Sequence, residues 1–209
     1  AKLMHEDNHD ALNDLYKKTS INLQVVGGFV MLCIFVNINQ LYVMVPKEYS
    51  GGILVVFLIG ISKYFDLILG NNNAIIFNSK YYRMVLFLGL LLVFLTVGLN
   101  MFFIPRYAIT GTAIATLLSI TLYSLAKLLF VVKRMHLYPF TKQTLYSLAI
   151  TFGIFLLFYF WEFPFNPIIS IGLKSILVTL LYVYINYKFV ISIEINQALD
   201  AVIMKLKKN

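Results

Sequence analysis

Lys63 and Asp66 stand three residues apart in an otherwise apolar stretch, Gly60-Ile61-Ser62-Lys63-Tyr64-Phe65-Asp66. On a helix that spacing puts both on one face, shared with Gly60 and Gly70. Counted from Gly51 at 1.5 Å per residue, Lys63 lies about 18 Å along the stretch and Asp66 about 22 Å. If the stretch crosses a bilayer, Lys63 is just past the midplane. A charge there costs on the order of 2.5–3.5 kcal/mol and must meet a partner or a wet cavity. Two readings are open. The pair neutralises itself and helps a bundle pack, or Lys63 offers positive charge to an anionic substrate while Asp66 tunes it.

Other polar groups in apolar surroundings carry weaker signals. Asn37 and Gln40 sit near the end of one stretch and Asn100 near the end of another, positions suited to hydrogen bonds between helices. Gly111, Ala115 and Ser119, beside Thr112 and Thr116, form a small-residue stripe that lets helices approach closely. Lys127 and Lys188 near one end of their stretches, and Lys174 near the other, are expected to snorkel toward water. Asn78-Ser79-Lys80-Tyr81-Tyr82-Arg83 places Lys80 and Arg83 where they either grip a phosphate headgroup or anchor the chain at the interface. His5-Glu6-Asp7-Asn8-His9 matches the zinc-protease pattern H-E-x-x-H. Its polar setting is wrong for a buried metal helix, and no third ligand stands at a fitting spacing. No Ser–His–Asp set, phosphate-cradling glycine loop or catalytic carboxylate pair emerges. We therefore expect no enzyme, and neither a metal nor another cofactor.

The elements that must position these residues are six apolar stretches: Ile21 to Val45, Gly51 to Gly70, Met84 to Ile104, Ala108 to Val132, Leu145 to Trp161 and Ile169 to Ile191. A helix crosses about 30 Å of hydrocarbon with roughly 20 residues, so five suffice easily and Leu145 to Trp161 is at the short limit. The runs lack the alternation of barrel strands, which leaves helices as the spanning structure. Composition agrees: 60% of the 209 residues are hydrophobic and 12% charged, with mean hydropathy +0.83. The fold class expected is an all-α integral membrane protein of six transmembrane helices. Joined in series, the spans put eleven Lys and Arg on one side and only Lys47 and Arg106 on the other. That asymmetry makes both ends cytoplasmic, and it accounts for the net charge of +8 without a nucleic-acid partner. Cys33 is the one cysteine and implies no internal disulfide. Residues from Asp10 to Ser20 read as a short interfacial helix. Ile195, Leu199, Val202, Ile203 and Leu206, followed by lysines, read as an amphipathic tail on the anionic inner leaflet. The start at Ala1 without Met suggests a piece of a longer protein.

Residues 60–83 and Asn100-Met101-Phe102-Phe103-Ile104-Pro105-Arg106-Tyr107-Ala108-Ile109-Thr110-Gly111-Thr112-Ala113-Ile114-Ala115-Thr116 resemble the C-terminal half of bacterial polysaccharide-biosynthesis membrane proteins. These are the oligosaccharide-lipid flippases of the multidrug/oligosaccharidyl-lipid/polysaccharide exporter superfamily. The likeness runs to about Lys142, and one departure is Ala108 where the family more usually has Gly. It implies helices nine to fourteen of a fourteen-helix exporter: a C-terminal lobe over residues 1–144, and an extra helix pair with the tail over 145–209. The implied activity is moving a lipid-linked oligosaccharide across the bacterial inner membrane by alternating access, with the N-terminal lobe as partner. Lys63, Asp66, Asn37 and Asn100 are then the cavity candidates, and Lys80 and Arg83 the headgroup candidates. Two alternatives stand beside it: a cation-coupled multidrug exporter of the same superfamily, and a membrane scaffold that transports nothing.

Overall fold

The computed structural model describes residues 9–208, and they are helical with no strand among them. In chain order the helices are α1 (His9–Val36), α2 (Ile38–Val43), α3 (Ile53–Ile68), α4 (Asn72–Phe77), α5 (Arg83–Met135), α6 (Lys142–Tyr159), α7 (Pro167–Lys188) and α8 (Ile193–Lys208), with a 3₁₀ stretch over Lys47–Gly52 before α3. Their ends follow local chemistry. Thr141 and Thr144 close a reciprocal cap at the start of α6, and Pro167 opens α7 where its missing N–H is harmless. The hydroxyl of Ser192 accepts the Ile195 amide at the start of α8. His136 ends α5 in the left-handed region.

Among the described residues four helices are long and apolar enough to cross a membrane: α1, α5, α6 and α7. The chain is thus a multi-pass, all-helical membrane protein. Two differences from the sequence reading concern helix ends. The interfacial helix expected from Asp10 is not separate, because α1 runs unbroken from His9 through the apolar residues to Val36. The first apolar stretch is instead interrupted at Asn37, where α1 gives way to α2.

The 53 residues of α5 are a hairpin. Three observations require this. Ala108 has φ 48° and ψ −125°, outside any helix. A Cβ built on Gly111 would lie 2.3 Å from the Phe103 carbonyl oxygen, eight residues earlier, whereas eight residues of straight helix rise about 12 Å. The Tyr81 and Phe130 rings meet edge to face at 5.4 Å, which closes the two feet of the hairpin. Pro105, which cannot donate a backbone hydrogen bond, stands one turn before the reversal. Each arm has about 25 residues, or roughly 37 Å of helix.

The chain divides into two compact units whose boundary falls inside α1. The first holds the part up to Ser20 and Val45–Phe140; the second holds Ile21–Met44 and everything from Thr141. In the first, Tyr16, Ile75, Ile76, Leu88, Val131 and Leu137 form an apolar core. Tyr16 donates to the Leu69 carbonyl at 2.9 Å and to Asn72, and Ser20 donates to the Ile68 carbonyl at 2.5 Å, so α1 caps the end of α3. In the second, Val25, Leu32, Val36, Ile154, Phe158, Val178 and Tyr182 pack together, and the Tyr182 hydroxyl donates to the Val25 carbonyl at 2.9 Å.

Polarity is inverted relative to a water-soluble fold. Phe94, Met101 and Ile109 are each 74% exposed, while Ser20, Gln24, Ser62, Ser124, Ser147 and Ser170 are fully buried. In water, large apolar patches of this extent are not left open. In lipid the arrangement is favourable, because acyl chains cover the apolar faces, and Ser20, Ser62, Ser124 and Ser170 each donate to an oxygen inside the protein.

Candidate functional site

Asp66 lies in the last turn of α3, and its carboxylate faces the second arm of α5. Oδ1 accepts from the Ser124 hydroxyl at 2.5 Å and from the Lys127 ammonium at 3.1 Å. Lys127 is buried, with 4% of its side chain exposed, whereas 43% of the Asp66 side chain is open. The same ammonium lies 4.3 Å from the centroid of the Tyr123 ring, and the Tyr123 hydroxyl reaches Asn73 at 3.4 Å. The cation therefore has an anion on one side and a ring face on another.

This corrects two expectations. Asp66 pairs with Lys127 and not with Lys63, because its face of α3 is the one packed on α5. Lys127 does not snorkel, because the Asp66 carboxylate lies within its reach and accepts from its ammonium. The signal was present in the sequence: Ser124, Lys127 and Val131 share one helical face, and all three are buried.

Lys63 is exposed on the outside of α3, and among the described residues no hydrogen bond or ion pair holds its ammonium. Asn100 lies on the first arm of α5. Its amide donates back to the Thr96 carbonyl at 2.7 Å, its Oδ1 is buried without a partner, and it lines a shallow groove with Val97, Met101, Ile104 and Pro105. Lys80 and Arg83 are exposed at the foot of the hairpin, over the rings of Tyr81 at 5.3 Å and Tyr82 at 5.8 Å. Lys133 and Arg134, exposed at the other foot, add two cations at that end.

Asn37 belongs to the second unit. It is buried, and its amide donates to the Cys33 carbonyl at 2.8 Å and to the Ser175 hydroxyl at 2.9 Å, which fits the interhelical role expected of it. The neighbouring Lys174 does not snorkel outward as expected. It is 1% exposed, and its ammonium donates to the Val36 carbonyl at 3.0 Å. Ser170, Lys174, Val178, Tyr182 and Asn186 recur every four residues and are all buried, so Lys174 stands on the interior stripe of α7. Lys188, by contrast, is exposed at the end of α7, near the Tyr184 ring.

The H-E-x-x-H pattern lies mostly outside the described residues; His9, which ends it, has Nε2 2.8 Å from the Met135 carbonyl oxygen. Among the described residues no three His, Cys, Asp or Glu side chains gather as a metal site would require. Compared with known protein families, curated proteins and solved structures, the chain matches none.

Proposed function

We propose that this chain is the C-terminal half of a flippase that moves a lipid-linked oligosaccharide across the bacterial inner membrane. In this reading α1 with α2, α3, the two arms of α5, α6 and α7 make six spans, and both ends face the cytoplasm. Eleven cations against two support that orientation. Residues 60–83 and 100–116 carry the resemblance to the oligosaccharide-lipid flippases. The half-exporter would alternate its access only with an N-terminal lobe.

The observation that carries the reading is Lys63, an exposed cation with no partner among the described residues, two-thirds of the way along an apolar helix. Facing lipid it would be costly; facing a cavity it would attract the anionic part of a substrate. The Asp66–Lys127 pair supports this division of labour by fixing α3 to α5 while Lys63 stays free. It also disfavours the multidrug alternative. A cationic drug or coupling ion needs an acidic group that is not already neutralised, and Asp66 has its lysine. Lys63→Glu in the full-length protein tests the reading. Surface polysaccharide should fall at least tenfold with the protein at normal abundance. Normal export would leave Lys63 a structural residue and remove the main support for an anionic substrate.

A further inference from the structure

We infer that the break between α1 and α2 is a site for a primary ammonium cation, which the protein fills with its own Lys174. An unbroken helix would pair the Val36 carbonyl with an amide four residues on. Here that oxygen instead accepts from Lys174 Nζ at 3.0 Å. Asn37, with φ −100° and ψ 1°, is the residue at which the helix is interrupted. Its side-chain amide takes the Cys33 carbonyl at 2.8 Å and the Ser175 hydroxyl at 2.9 Å, so adjacent residues of α7 bind both sides of the break.

Two features of the break offer negative partial charge to the ammonium. The negative ends of the α1 peptide dipoles converge on its last carbonyls. The Asn37 Oδ1 atom is buried without a donor and adds partial negative charge. Interrupted membrane helices present such carbonyls to cations. Lys174 supplies the cation through a covalent tether, so the break holds without a free ion, and α7 is pinned to it.

Cys33, half-buried one turn before the break, is a native reporter of its opening. The experiment uses the full-length protein in lipid vesicles with Cys33 as the sole thiol, and measures its rate of modification by a small methanethiosulfonate. Lys174→Ala should raise that rate roughly tenfold or more, the loss expected for a hydrogen bond to a charged group. Methylammonium should restore the slow rate by entering the space left by the side chain, whereas tetramethylammonium, with no N–H to donate, should not. Lys174→Met, which keeps the volume without the charge, should be equally fast and unresponsive to either ion. A wild-type rate in Lys174→Met would overturn the inference, even if Lys174→Ala failed to fold. Equal rescue of Lys174→Ala by both ions would overturn it too, since ionic strength alone would then be acting.

Discussion

Removing the two members of the Asp66–Lys127 pair one at a time should have unequal effects, and the inequality follows from their exposure. Asp66→Asn leaves an ammonium with 4% of its side chain exposed and no anion beside it. Stripping the partner from a fully buried ion costs about 3–5 kcal/mol. The pair is not fully enclosed, since 43% of the Asp66 side chain is open, and the Tyr123 ring still faces the ammonium at 4.3 Å, so the expected loss is about 2 kcal/mol. Lys127→Met leaves a carboxylate that is 43% exposed and still bonded to the Ser124 hydroxyl. That group keeps its hydroxyl partner and its open side, and Met fills the lysine's volume, so the loss should be about 1 kcal/mol or less. The double variant should lie close to Lys127→Met, giving a coupling of about 2 kcal/mol across the cycle. Stability can be read as resistance to heating in one mild detergent, from the fraction that stays monodisperse. If Asp66→Asn is as stable as wild type, or if the two single effects simply add, the pair does not hold α3 to α5.

Two further perturbations probe the hairpin. Ala108→Gly should stabilise the protein by about 1 kcal/mol: the region around φ 48° and ψ −125° costs an L-residue on the order of 1–3 kcal/mol, and glycine's extra freedom when unfolded returns only part of that. A lower melting temperature for this variant would argue against the turn geometry. Gly111→Ala should destabilise by about 2–4 kcal/mol, since its methyl would meet the Phe103 backbone at 2.3 Å. Cysteines placed at Tyr81 and Phe130 should be bridged by a short bifunctional thiol reagent in the otherwise native protein, and bridged far less once Gly111→Ala is added.

Membrane helices announce themselves through length and apolarity, so the helical class and the apolar stretches were legible in the residues alone. The reversal within α5 was legible too, because Pro105 and the change of apolar run mark it, even though helical geometry continues almost through the turn. The interruption at Asn37 was not, because no Gly or Pro marks it. It exists because Lys174 and Ser175, some 140 residues later, take over backbone and side-chain bonds that local sequence cannot supply. The partner of Asp66 was missed for a related reason. Spacing along one helix names the groups that share a face, but only packing decides which neighbouring helix that face meets.

Both misjudged lysines teach the same rule. Sequence alone points Lys127 and Lys174 to water, because each lies within reach of a helix end and a long side chain can stretch there. Reach is necessary but does not decide the outcome; the character of the helical face does. Lys127 shares its face with Ser124, and Lys174 shares its stripe with Ser170 and Asn186, and these faces are buried. On a helix whose remaining sides are bare of polar groups, a stripe of Ser, Asn and Lys marks the side turned away from lipid. Applied to α3, the same rule puts the buried Ser62 and the Asp66 carboxylate toward protein, and Lys63 on a different side. Lys63 joins no polar stripe and meets no partner among the described residues; if α3 spans the bilayer as proposed, an exposed charge there needs water or an anion beside it. That is why the transport reading rests on Lys63 and not on the better-ordered pair one turn away.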